Sequence, residues 1–381
     1  MIDDARSFFA TSREKFDLII FGLLDSHTTT AMTNARLDHY VYTRQSLARA
    51  RDLLSAHGVM VLSFEAVKPF LADRMAACLG EVFAAPPLAF RIPQDELGWG
   101  GVMFVAGDAA ALRAALDRQP RLAAMIRQWQ AERPVTLDHS AAAADDDWPY
   151  IYLESRRVPT LYYLLALALA VLAARGCRRL GIRAWHGGSN REPWHFFFLG
   201  AAFLLLEVQN ISRASVVLGN TWLVSAVIIA GILLMILLAN VAESAFGNRL
   251  PQGLMTFCLI GSCLLLYWLD LCRFALLPYA AKALVVGTLT TLPMFFGGII
   301  FIRSFAVAEH KDLVLGANMI GALVGGVLQS ITFVTGIKSL LLVVAGLYLA
   351  ALLTRPRPED FVGTAASEDQ DLEEVVAMCE S

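Results

Sequence analysis

Apolar and polar positions divide the chain into two textures. Between residues 1 and 157, short apolar runs alternate with amphipathic stretches; between 158 and 354 the apolar runs are long and nearly unbroken. In the first part, FDLIIFG (16–22) reads as a buried strand that ends in the polar loop LLDSHTTT (23–30). YTRQSLARARDLLSAHG (42–58) carries Leu47, Ala50, Leu53 and Leu54 on one face, which predicts a helix stopped by Gly58. GVMVLSF (58–64) is the next buried strand, so the three elements form a βαβ unit with parallel strands. A helix is predicted over 68–81, then strands at 88–92 and 101–107 joined through Pro93, Gly98 and Gly100 as an antiparallel excursion. Residues 109–132 predict a helical pair, and 133–157 an acidic linker containing Asp145, Asp146 and Asp147.

A membrane-spanning helix needs about 20 predominantly apolar residues. Seven segments qualify as candidates: 158–175, 195–217, 221–240, 254–272, 280–303, 313–334 and the short 338–354. Trp194, Trp222 and Trp268 fall near segment ends, as an interfacial belt requires. Pro293 should kink the fifth segment. Gly321 and Gly325 make a G-x-x-x-G in the sixth, which allows close helix approach.

Composition sharpens the division. The 381 residues are 57% hydrophobic and 17% charged, against about 25% charged for ordinary soluble chains. Residues 1–157 hold 37 charged side chains, 158–354 hold 18, and the tail 355–381 holds ten, eight of them acidic. This predicts a soluble domain, a membrane domain and a short acidic, disordered tail. A net charge of −3 gives no reason to expect a nucleic-acid partner. The six cysteines form no CxxC pair, so neither a zinc site nor a disulfide framework is implied. His27, His39 and His57 lack accompanying ligands at metal-binding spacing, so no metal is expected.

Polar residues inside apolar helices are expensive and therefore informative. The second segment holds Glu207, Gln209, Asn210 and Arg213, a stripe that must face other helices or water. It reads either as a small-molecule pathway or as a pairing of Glu207 with Arg213 or with a neighbouring helix that holds the bundle together. Asn318 and Gln329 on the sixth segment are the candidate partners.

A parallel sheet closed by an antiparallel hairpin is the second half of a class I methyltransferase-like Rossmann fold. The glycine-rich turn that opens such a fold is missing, since no G-x-G-x-x-G occurs and GWGG (98–101) precedes a strand. DDARSFF (3–9), EKFDLIIFGLLDS (14–26), LDHYVYTRQSLARARDLLSAHGVMVLSF (37–64), GEVFAAPPLAF (80–90), WGGVMFVAG (99–107) and DDWPYIYL (146–153) follow in order. Together with FFFLGAAFLLLEVQNISR (196–213) and LGANMIGALVGGVLQSITFVTG (315–336), they resemble the C-terminal half of the spermidine synthase-like domain of multi-pass bacterial membrane proteins.

The resemblance implies a bacterial inner-membrane location and a spermidine synthase-like aminopropyl or methyl transferase. Its cofactor would be S-adenosylmethionine or the decarboxylated form, and its substrate a small polyamine. Asp4 matches the acid that holds the adenine amino group, and Tyr42 a substrate-side tyrosine. Asp25 is the surviving acid of a D-S-S-D-like loop; the first acid of that loop, which takes the amine proton, is replaced by Gly22. Aspartates at these positions also suit a helix N-cap (Asp4) and a loop cap (Asp25). The remaining readings are a methyltransferase and a non-catalytic membrane carrier or scaffold.

Charge counting conflicts with the resemblance. Arg175, Arg178, Arg179, Arg183 and Arg191 mark the loop after the first segment as cytoplasmic, which sets residues 1–157 outside. A cytosolic adenosyl cofactor requires them inside, and the resemblance is followed here. The expected architecture is thus a partial α/β Rossmann (methyltransferase-like) domain over 1–132, a linker over 133–157, and an all-α polytopic bundle over 158–354.

Overall fold

The computed structural model describes residues 4–22, 39–66, 68–93, 100–179, 191–219, 222–249, 251–308 and 310–356. Its first layer holds a four-stranded mixed sheet: β1 (Phe16–Phe21), β2 (Leu54–Phe64), β3 (Leu88–Ile92) and β4 (Gly101–Gly107), in the order β1-β2-β4-β3. β1 and β2 are parallel, while β4 runs antiparallel to both β2 and β3. Helices α1 (Ala5–Thr11), α2 (Arg44–Asp52), α3 (Pro69–Phe83), α4 (Ala109–Arg118) and α5 (Pro120–Glu132) accompany it. Alternation explains the pairing: Met60, Leu62 and Phe64 on β2 share a buried face with Val102, Phe104 and Ala106 on β4, closed by Leu71, Met75 and Leu79 of α3. Each such side chain contributes about 1.5–3 kcal/mol, more than a typical single hydrogen bond.

Two expectations need correction. α2 ends at Asp52 rather than at Gly58, and β2 begins at Leu54 because Leu54 enters the core. Gly58 therefore lies within the strand. The register jumps from Phe16↔Leu54 to Leu18↔Val59, and a Cβ on Gly58 would stand 2.8 Å from the Phe16 carbonyl oxygen. The glycine permits a bulge and stops no helix.

The second layer is a bundle of α6 (Thr160–Arg179), α7 (Arg191–Leu218), α8 (Trp222–Phe246), α9 (Gln252–Trp268), α10 (Tyr279–Ala306), α11 (Lys311–Leu328), the short α12 (Thr332–Thr335) and α13 (Ser339–Leu353). Four stretches, Arg191–Leu218, Trp222–Phe246, Tyr279–Ala306 and Lys311–Thr335, are long and apolar enough to cross a membrane. Thr160–Arg175, Gln252–Trp268 and Ser339–Leu353 are shorter apolar helices. Leu161, Leu164 and Leu167 on α6, Leu233 and Leu237 on α8 and Phe257 on α9 all point outward. Such a surface suits lipid rather than water.

At the centre of the bundle α7 and α11 touch backbone to backbone. A Cβ on Gly321 would collide with the Phe197 carbonyl oxygen, one on Gly325 with that of Ala201, and one on Gly200 with that of Asn318. The G-x-x-x-G spacing packs helices, as expected. α10 runs as one helix through Pro293.

Candidate functional site

Where the two layers meet, each supplies buried charge. α1 begins at Asp4, whose Oδ1 accepts from the Ser7 amide at 3.0 Å, so the carboxylate caps the helix. Gly219, at the end of α7 with φ +90°, presses against this Asp4 side chain. Two residues on, Arg6 is buried and donates to Tyr40 O (3.0 Å), Thr43 Oγ1 (2.8 Å) and Asp146 Oδ2 (2.5 Å). Thr43 in turn donates to Asp146 Oδ1 at 2.7 Å. From the bundle, buried Lys282 donates to Ser7 Oγ at 3.1 Å.

Residues 133–157, expected as a linker, contain no helix or strand and form a fastened strap. Asp73 on α3 accepts from the Asp138 and Ser140 amides and the Ser140 hydroxyl. The neighbouring Arg74 donates to the carbonyls of Ala142, Ile151, Leu153 and Glu154. Burial lowers the Arg74 pKa, against a raising influence from Cys78. The strap then grips the bundle. Trp148 Nε1 donates to Phe333 O (2.8 Å) and Tyr150 Oη to Thr332 Oγ1 (2.6 Å). The Ile337 amide donates to Asp147 O (2.8 Å), and the Lys338 amide to Asp147 Oδ1 (2.7 Å).

Beneath this junction lies a pocket of about 280 Å³. α1 and α2 roof it with Arg6, Ala10, Gln45 and Arg49, and the helix ends floor it with Arg213, Asp270, Ile337 and Lys338. Arg213, 8% exposed, donates to Leu266 O and to Leu269 O (2.7 Å), capping the carbonyl end of α9. Cys272 also lines the pocket, and burial pushes its thiol up to about 11.

The stripe expected on α7 therefore splits. Arg213 is bound to carbonyls, not to Glu207. Glu207 is half-buried, and among the described residues no hydrogen bond or ion pair to it is found. Gln209 and Asn210 are buried with their amide nitrogens and oxygens unbonded. Asn318 donates to Phe196 O at 3.1 Å instead of reaching them, and Gln329 lies past the end of α11. Tyr42 packs against Phe21 and Phe64, and its hydroxyl donates to Gly22 O at 3.4 Å, at the end of β1. Asp25 lies outside the described residues. Among the described residues no group of three metal-ligating side chains occurs.

Arg6, Asp146, Arg74 and Lys282 went unseen in the sequence, because their partners lie far along the chain or are backbone carbonyls. No family model, no curated protein and no solved structure matches the chain.

Proposed function

We propose that this protein is a multi-pass membrane carrier or scaffold, in which the α/β layer is a fixed cap over the helical bundle and encloses a small-ligand pocket at the junction. The observation that carries this reading is the interlock itself: Asp4, Arg6, Asp146, Asp147, Trp148 and Tyr150 all bind the cap's own backbone, its own side chains or the bundle. The Asp4 carboxylate, the position that the spermidine synthase resemblance assigns to adenine, accepts from the Ser7 amide of α1 and stands against Gly219 at the end of α7.

Charge supports the same reading. α7 ends at the cap, so its first residue, Arg191, stands at the opposite end of the bundle, as do Arg175, Arg249, Lys311 and Arg355. At the cap end of the bundle the basic residues are Arg213, Arg273, Lys282 and Lys338, with Arg156 and Arg157 just before α6, against eight at the far end once Arg178, Arg179 and Arg303 are counted. Positive charge at the far end favours an orientation with that end in the cytoplasm and the cap outside, away from cytosolic adenosyl cofactors.

One observation favours the transferase reading. The order β1-β2-β4-β3, with the reversed strand placed next to last, is what the second half of a methyltransferase-like fold requires. Calorimetry on the detergent-purified chain separates the two. The carrier reading expects no binding of S-adenosylmethionine or its decarboxylated form near micromolar affinity, about −8 kcal/mol. A micromolar site for either compound overturns it in favour of the transferase.

A further inference from the structure

The geometry points to the junction pocket as a site for a phosphate group presented at the membrane surface, whether the head of an anionic phospholipid or free phosphate. This rests on the reading of the α/β layer as a fixed cap, because the cap supplies half of the walls.

Four cationic side chains line the pocket, Arg6, Arg49, Arg213 and Lys338, against two carboxylates, Asp146 and Asp270. Both carboxylates are already engaged: Asp146 accepts from Arg6 and Thr43, and Asp270 caps the turn at the Cys272 amide. Asp147, just outside the lining, accepts from the Lys338 amide. The cations keep capacity. A guanidinium has five N–H donors; Arg213 spends two on Leu266 and Leu269, and Arg6 spends three on Tyr40, Thr43 and Asp146. Arg49 and Lys338 are exposed, and among the described residues their side chains form no ion pair. The unused donors of two buried, fixed guanidiniums and two free cations make an anion site, and planar arginine donors suit phosphate oxygens. The same excess of positive charge opposes a polyamine.

Level and shape fit a headgroup. The segment from Asp270 to Ala275 that walls the pocket follows Trp268, which is 82% exposed, and precedes the half-exposed Tyr279. Aromatic residues so placed mark the lipid–water boundary. Val216, Leu271 and Ile337 add an apolar wall beside the charged groups.

The test uses the full chain in phosphatidylcholine nanodiscs, titrated with phosphatidylglycerol and followed by thermal unfolding, and in parallel the chain in detergent with inorganic phosphate. An Arg49→Glu/Lys338→Glu variant accompanies both. Phosphatidylglycerol should raise the midpoint, and the double reversal should weaken its apparent affinity at least tenfold, with the effect shrinking as salt rises. Stabilisation by phosphatidylglycerol alone identifies the lipid source; stabilisation by inorganic phosphate as well identifies the free ion. The proposal is overturned if neither probe stabilises the protein, or if the double reversal leaves the affinity within twofold. In that case the carrier reading stands unless an adenosyl compound binds, so the two fail separately.

Discussion

The junction between cap and bundle and the crossing of α7 with α11 are both buried, yet they are held by opposite means. At the crossing, Gly200, Gly321 and Gly325 remove side chains so that backbones touch. At the junction, Lys282 and Trp148 each reach across to a single acceptor, Ser7 Oγ and Phe333 O, and beside them Arg6 and Asp146 pair within the cap. Shape holds the first, and directional bonds to buried charge hold the second. A shape contact fails when volume is added. A charge contact fails when one partner is removed, because the other remains buried and uncompensated.

The largest expected effect follows from that contrast. Arg6→Ala leaves the partly buried Asp146 without its cation and should cost about 3 kcal/mol in denaturant unfolding of the detergent-purified chain. Replacing the pair together, Arg6→Met with Asp146→Leu, should restore part of the loss. If Arg6→Ala costs less than about 1 kcal/mol, this pair does not fasten the strap to α1.

Gly321→Leu tests the other side. The added side chain meets the Phe197 carbonyl, and overpacking of this kind costs about 3 kcal/mol. Half-buried Gly316, with nothing within 4 Å of its Cβ position, is the control: Gly316→Ala should be neutral or slightly stabilising. Equal losses at the two positions would remove the crossing from the account.

Cys78 gives a smaller, pH-dependent effect inside the cap. Burial pushes its thiol from 9.0 up to about 12. Below pH 9 folded and unfolded thiols are both protonated and there is no penalty. Between 9 and 12 only the unfolded thiol ionises, so stability is lost as pH rises, at up to about 1.4 kcal/mol per pH unit. Cys78→Ala gives up the bond from the Ala144 amide, about 1 kcal/mol at neutral pH, and the gap to the natural protein should close above pH 9. A gap that stays constant to pH 10.5 would contradict the buried thiol.

The smallest effect belongs to Glu207. An interhelical pairing requires Glu207→Leu to be costly. With no bond to it among the described residues, Glu207→Gln and Glu207→Leu should each change stability by less than about 0.5 kcal/mol. A loss of 2 kcal/mol or more in Glu207→Leu would restore the pairing.

What the sequence made legible follows the range of the forces. Short apolar runs at 16–21 and 101–107 revealed the strands, and long ones the bundle helices, because such runs are a local property; the run at 16–21 also predicted a buried strand, whereas β1 lies at the sheet edge with Leu18 and Ile20 exposed. The end of α2 was misread, since a glycine that relieves a close approach in a strand looks like one that stops a helix. The Arg6–Asp146 pair spans 140 positions and leaves no local trace. Arg213 suggested a carboxylate partner, but it binds carbonyls, which every residue carries alike. The acidic strap read as a linker because Asp145, Asp146 and Asp147 look identical whether they face water or accept hydrogen bonds from the fold.

Hydrogen exchange of the Ile337 and Lys338 amides, measured on the full chain in nanodiscs, tests the fixed cap most directly. Both amides are donated across the junction to Asp147. The account predicts slow exchange for both in the natural protein, and exchange at least tenfold faster in Arg6→Ala, as the strap loosens together with the cap. Rapid exchange in the natural protein, or slow exchange that Arg6→Ala leaves unchanged, would contradict it.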